Sequence, residues 1–318
     1  MAMTTDRQAD RGNLPLHSSF QNQGSPVADG PDFLCIGLQK AGTGWLYDQL
    51  QFHPDFWMTA VKELHFLDRS FPNKRIHKAI VKTLADLEGM SASRFENDWR
   101  QLDERDRDFF EQARDCIGKP SDLDRYASLF RQKGDLLSGD ITPSYGGIDE
   151  SEIDAVVARF PKVKALILLR DPVQRVMSQI GMAYRNQKAP EVAFRKLEPF
   201  KDFFLQGPFG KRSFATQIVQ KWKSRLPDDQ FAFYFFDDIV GRPEGLRSDV
   251  LTFLGGDPAK SSRLAADFNR KSRKSKLVLP DEIQVYLQGY FREELERSVE
   301  MFGGHANAWL ARYHGDAA

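Results

Sequence analysis

Apolar positions along the chain follow two rhythms. The runs Phe33–Ile36, Val163–Leu169 and Phe231–Phe236 are too short for helices and are bounded by glycine, proline or charged residues, so each predicts a strand, a buried one at Phe33–Ile36 and an aromatic one at Phe231–Phe236. Leu136–Ile141 (L-L-S-G-D-I) predicts a further strand, and Val163–Leu169 is the strongest candidate for a central one. Helical spacing fills the intervals: Trp45, Leu46 and Leu50; Ile76, Ile80, Leu84 and Leu87; Ile153 to Phe160; Phe214, Ile218, Trp222 and Leu226; Leu246 to Leu254; and a last amphipathic helix from Ile283 to Phe302. Breakers agree with these bounds: His53-Pro54, Pro161, Gly255-Gly256 and Gly303-Gly304 close helices, while Asp171 and Pro172 supply the N-cap and first turn of another. Val61–Asp68 alternates in a way that permits a short strand or an extended loop, which would put Glu63 and His65 on one face.

Strands alternating with helices predict an α/β fold with a central parallel β-sheet flanked by helices on both faces. Residues 1–30 are polar and without periodicity, which predicts a disordered leader. Residues 31–318 show no internal repeat and no clear linker. They predict a single domain, with a helical insertion at about 74–133 that forms a lid or a substrate-facing wall.

Charge narrows the function. The 318 residues carry 45 Lys and Arg against 45 Asp and Glu, so no global field points to nucleic acid or to an anionic membrane, and any anion site must be local. Cys35 and Cys116 cannot make a disulfide framework, which suits a reducing compartment. With no apolar run of membrane-spanning length and no signal-peptide core, the expectation is a soluble cytoplasmic protein; oligomeric state is left open.

The chemistry concentrates in Phe33–Leu50, F-L-C-I-G-L-Q-K-A-G-T-G-W-L-Y-D-Q-L. Strand, glycine-rich turn and helix N-terminus form a phosphate-binding geometry, in which free backbone N–H groups and the helix dipole face the anion. Gly37 and Gly42 have the spacing of a Walker loop, but the lysine that should follow the second glycine is absent; Lys40 stands two positions before it instead. A second constellation is R-D-P-V-Q-R-V-M-S, Arg170 to Ser178. Arg170 closes a predicted strand and emerges on the same sheet edge as the Lys40 loop, and Ser178 follows on the next helix, an arrangement suited to a second phosphate.

Together these residues resemble the sulfotransferases that use 3′-phosphoadenosine 5′-phosphosulfate (PAPS). Gly37, Lys40, Gly42, Thr43 and Leu46 match the family's loop for the 5′-phosphosulfate, and Arg170, Pro172, Arg175 and Ser178 its motif for the 3′-phosphate. His53-Pro54 with K-E-L-H-F-L, and the turn D-I-T-P-S-Y at Asp140–Tyr145, are similar to segments of carbohydrate and heparan-sulfate-type members. The resemblance runs from Phe33 to about Leu254. It implies a P-loop-containing nucleotide-hydrolase-like fold and sulfonate transfer from PAPS to a hydroxyl of a carbohydrate or small metabolite, with adenosine 3′,5′-bisphosphate (PAP) as product and no metal required. It implies Glu63 as general base, with His65 as the other candidate or as its support, and Lys40 stabilising the leaving phosphate. Donor-binding residues would be Lys40, Ala41, Gly42, Thr43, Gly44, Trp45, Arg170 and Ser178, joined by Arg270, Lys271 and Ser272 of the basic F-N-R-K-S segment. Two positions depart from the family's commoner patterns: Gly44 replaces a threonine of the loop, and Ile141 a lysine before Thr142-Pro143.

Three alternatives remain on the sequence alone. Glu63 can serve structure, paired with Lys62 or a loop N–H. The chain can be a P-loop kinase or NTPase with a displaced lysine, using Leu166–Asp171 for Mg²⁺. It can also be a nucleotide-binding protein without catalysis.

Overall fold

The structure, a computed structural model, describes residues 30–88, 103–268 and 277–314. Residues 1–29 of the expected 1–30 leader, part of the expected insertion (89–102) and the basic segment holding Arg270, Lys271 and Ser272 lie outside the described residues. Four parallel strands form one sheet: β1 (Phe33–Gly37), β2 (Gly139–Ile141), β3 (Lys164–Leu169) and β4 (Phe231–Phe235), in the order β2-β1-β3-β4. Helix α1 (Thr43–Gln51) follows β1, and α2 (Lys74–Glu88), α3 (Glu104–Asp115) and α4 (Leu123–Ser128) precede β2. After β2 come α5 (Glu150–Arg159), then β3, α6 (Pro172–Arg185), α7 (Leu197–Gln206) and α8 (Ala215–Lys223) before β4. The chain closes with α9 (Phe236–Gly241), α10 (Pro243–Leu254), α11 (Asp281–Tyr290), α12 (Arg292–Phe302) and α13 (His305–His314).

Strands β1, β2 and β3 lie in the core, whereas β4, at the sheet edge, is buried only at Phe231. Every residue of β1 and β2 is buried, and so is every residue of β3 except Lys164. Strand β1 pairs with β2 through Phe33–Gly139 and Leu34–Asp140, and with β3 through Phe33–Lys164 and Leu34–Ala165. Gly139 permits that approach, since a Cβ there would lie 2.4 Å from the Phe33 carbonyl oxygen. From β1 the chain moves to one side for β2, then crosses to the other for β3. The carboxyl ends of β1 and β3 therefore flank the reversal point where open parallel sheets hold ligands.

Two local expectations are corrected. Val61–Asp68 is neither a strand nor an extended loop: Glu63 and His65 both have positive φ, 65° and 58°, so the shared face of an extended segment does not exist. The helix expected over Ile283–Phe302 is two helices broken at the buried Phe291, and a further helix, α13, follows the Gly303-Gly304 stop.

Candidate active site

Between β1 and α1 the chain turns back on itself, with the Ala41 N–H donating to the Leu38 carbonyl at 3.1 Å. Gly42 makes the turn at φ 97°, where a Cβ would lie 2.2 Å from Ile239 Cδ1, so only glycine fits. Helix α1 begins there with no side-chain cap and no acidic residue in its first turn. Its first intrahelical bond is Leu46 N–H to the Gly42 carbonyl, 3.1 Å. The N–H groups of Thr43, Gly44 and Trp45 thus have no helical acceptor, and the positive end of the dipole is uncompensated.

Arginines brace this loop from behind. Arg170, at the end of β3, donates to the Lys40 carbonyl at 2.7 Å while its guanidinium lies over the Phe236 ring, 4.2 Å from the centroid. It does not pair with Asp171, whose Oδ1 instead caps α6 at the N–H groups of Val173 (2.9 Å) and Gln174 (3.1 Å), the N-cap role expected of it. Arg175, fully buried, donates to the Gln39 carbonyl (3.1 Å), the Phe209 carbonyl (2.9 Å) and the Ser213 hydroxyl. Arg212 reaches the Gln39 side-chain oxygen at 3.3 Å. Burial, with Arg212 and Arg170 nearby, lowers the Arg175 pKa to about 9, so it keeps its charge at neutral pH although its hydrogen-bond acceptors are all neutral. Burial likewise lowers the Arg170 pKa, against the opposing pull of Asp171 and Asp237. The site is locally cationic in a chain of zero net charge, which favours an anionic ligand.

Of the remaining residues expected to bind the donor, Ala41 to Trp45 lie in the turn and at the start of α1, while Ser178 lies in the second turn of α6. Ala41 and Thr43 are buried in the turn and at the start of α1, Gly44 is half-buried beside them, and Ser178 is half-buried on α6. Trp45 is buried and donates its indole N–H to the Ala266 carbonyl at 2.6 Å, while Gln49 reaches the Ala265 carbonyl at 3.0 Å. Helix α1 thereby tethers the segment leading into residues 269–276.

The second half of the site is the turn 62–68. Lys62 Nζ lies 2.5 Å from Glu63 Oε1 and 3.4 Å from Thr43 Oγ1, so one ammonium joins the glycine loop to the carboxylate. The lysine pairing considered for Glu63 is present, and it lies beside the glycine loop. His65 Nε2 is 3.9 Å from Glu63 Oε2, and its Nδ1 is 2.7 Å from Asp68 Oδ2, an oxygen that also accepts from Ser144 Oγ at 2.5 Å. Glu63 and His65 therefore do converge, through left-handed backbone rather than strand periodicity. Asp68 and Ser144 were not singled out from the sequence, and Lys62 only as a structural partner of Glu63. The signal for Asp68 is its three-residue offset from His65, meaningful in a turn but directed to opposite faces in an extended segment.

Electrostatics separates the two candidate bases. Burial would raise the Glu63 pKa, but Lys62, with Arg75 and His65, pulls it below the ordinary glutamate value. His65 moves the other way, because its hydrogen bond to Asp68 raises its pKa above 6.5 despite burial. In an NMR titration the His65 imidazole is expected to titrate above 6.5, and Asp68→Asn to move that midpoint to lower pH. An unchanged midpoint would remove Asp68 as its cause.

Comparisons with known proteins bear on the family and the fold. A family model described as "Sulfotransferase family" matches residues 31–258. Carbohydrate sulfotransferase 15 of Rattus norvegicus is 25% identical over 222 residues, which is 65% of this chain but 37% of that protein, so the chain spans little more than a third of that relative. The crystal structure of a sulfotransferase from Alicyclobacillus acidocaldarius superposes with a TM-score of 0.58 at 19% identity, covering 88% of this chain and 98% of that one. That likeness concerns the fold, the P-loop-containing nucleotide-hydrolase-like arrangement of a parallel sheet flanked by helices.

Proposed function

Because the chain belongs to the sulfotransferase family, we propose that it transfers a sulfonate group from PAPS to an acceptor hydroxyl, in the site formed by the 38–46 loop and the 62–68 turn. The observation that carries this reading is Lys62, whose ammonium touches both the anion-facing Thr43 and the carboxylate of Glu63. A proton acceptor thus stands next to a phosphate cradle, as transfer to a hydroxyl requires.

The residues present fit the donor. The uncapped start of α1 and the close turn at Gly42 suit the 5′-phosphosulfate, and Arg170, braced on Phe236, suits the 3′-phosphate. In the reaction the acceptor oxygen forms a bond to sulfur while the bond between sulfur and the 5′-phosphate oxygen breaks. The hydroxyl proton passes to Glu63, and PAP leaves carrying the bond's electrons. Lys40, Lys62 and the first-turn N–H groups stabilise the negative charge that grows on the departing phosphate. His65, positioned by Asp68, steadies the Glu63 carboxylate. The rat relative's name, a carbohydrate sulfotransferase, supports a sugar hydroxyl as acceptor, with a small metabolite as the wider class.

Calorimetry with PAP tests the donor assignment. Binding well below about 1 mM is expected, unaffected by a metal chelator. No binding at that concentration would reject the assignment, and Mg²⁺-dependent binding of ATP in its place would favour the kinase reading.

A further inference from the structure

Helix α13 lies beyond residues 31–258, the part of the chain that matches the family, yet it reaches the donor end of the site. Its residues His305, Trp309, Arg312 and Tyr313 fall on one helical face. That face meets the residues that follow β3 and β4. His305 Nε2 is 3.0 Å from Asp238 Oδ1, and the Trp309 indole N–H donates to Asp237 Oδ2 at 3.2 Å. The Tyr313 hydroxyl donates to Asp171 Oδ2 at 2.8 Å, and Arg312 donates to the same oxygen.

Asp171 is the consequential partner because it adjoins Arg170. With only 3% of its side chain exposed, its carboxylate receives the two α6 N–H groups on Oδ1 and the two α13 side chains on Oδ2. An uncompensated buried carboxylate there would repel a phosphate held by Arg170 and would compete for its guanidinium. Instead Arg170 is turned to the Lys40 carbonyl and the Phe236 ring. Arg312, with 45% of its side chain exposed, brings a second positive charge to this corner.

We propose that Arg312 is a positioning residue for the 3′-phosphate of the donor: by neutralising and fixing Asp171, with Tyr313, it keeps Arg170 available and sets the preference for a nucleotide that carries a 3′-phosphate. The proposal rests on the donor reading above. It makes α13 part of the donor site rather than a terminal packing helix.

The test compares calorimetric affinities for PAP and for adenosine 5′-phosphate, which lacks the 3′-phosphate. The wild-type chain is expected to prefer PAP. Arg312→Ala should reduce that preference about tenfold or more while leaving the affinity for adenosine 5′-phosphate unchanged. Arg312→Lys should restore part of it, since a point charge can neutralise Asp171 without the planar fork. Tyr313→Phe, which removes a single donor, should lower the same ratio by less and covers the case in which Arg312→Ala fails to fold. A preference that survives in these variants overturns the proposal, as does an equal loss of both affinities, which would mean that α13 serves only packing. A wild-type chain that binds adenosine 5′-phosphate as tightly as PAP would overturn the donor reading together with this one.

Discussion

Glu63→Gln is expected to bind PAP as the wild-type chain does and to lose about 10²–10⁴-fold in kcat, the usual contribution of a positioned general base. The amide keeps the shape of the side chain and can still accept from Lys62, so the donor loop keeps its contact through Thr43. What it cannot do is take the acceptor's proton. Glu63 is a carboxylate held ionised by an adjacent ammonium, and its pKa is depressed by Lys62 in spite of burial. Such a base is weaker than one poised near neutrality, but it is fully in its working form at neutral pH. The acid limb of the rate profile should accordingly lie below 4.5, with activity lost as pH falls through the depressed pKa. His65, whose pKa its hydrogen bond to Asp68 raises, holds its proton to higher pH than a free imidazole and in that form supports Glu63 instead of replacing it. Full turnover in Glu63→Gln would reverse these assignments, and His65→Gln would then show the larger loss.

The glycine-loop half of the candidate site was legible in the sequence because its parts are local. A strand, a glycine turn and a helix start are contiguous between Phe33 and Leu50, and an arginine that ends a buried run emerges at a strand's carboxyl end whatever lies elsewhere. The 62–68 turn was legible in composition but not in geometry. Glu63 and His65 adopt left-handed backbone that non-glycine residues seldom take, so neither period 2 nor period 3.6 describes them. The conformation is imposed from outside the segment, by Tyr145 and Asp140, both distant in sequence. Helix α13 escaped notice for a related reason. The Gly303-Gly304 stop looked like the end of regular structure, and Arg312 gains its meaning from Asp171, 141 residues earlier.

Asp140→Ala is expected to destabilise the fold by about 3–5 kcal/mol and, independently, to lower turnover while PAP affinity is kept. The carboxylate is buried in the middle of β2 and accepts four hydrogen bonds: Thr142 Oγ1 (2.6 Å), the Tyr145 hydroxyl (2.6 Å), the Tyr126 hydroxyl (3.2 Å) and the Leu64 N–H (3.4 Å). Burial raises its pKa in spite of these donors, which offset much of the cost of keeping it charged in the core. Alanine would leave three hydroxyls and one N–H in the core without their acceptor. The damage would spread to the site, because the Tyr145 hydroxyl in turn accepts from the Phe66 N–H (2.9 Å) and the Leu67 N–H (3.4 Å). Asp140 and Tyr145 thus fasten the 62–68 turn to the sheet on both sides of His65. The donor loop hangs on Arg170 and Arg175 instead, so nucleotide binding should outlast the loss. Urea unfolding and single-turnover kinetics on Asp140→Ala and the isosteric Asp140→Asn separate the two effects, with asparagine expected to be the milder change in both. A loss of turnover at unchanged stability would place Asp140 in the chemistry itself, and unchanged turnover would show that the turn holds Glu63 without it.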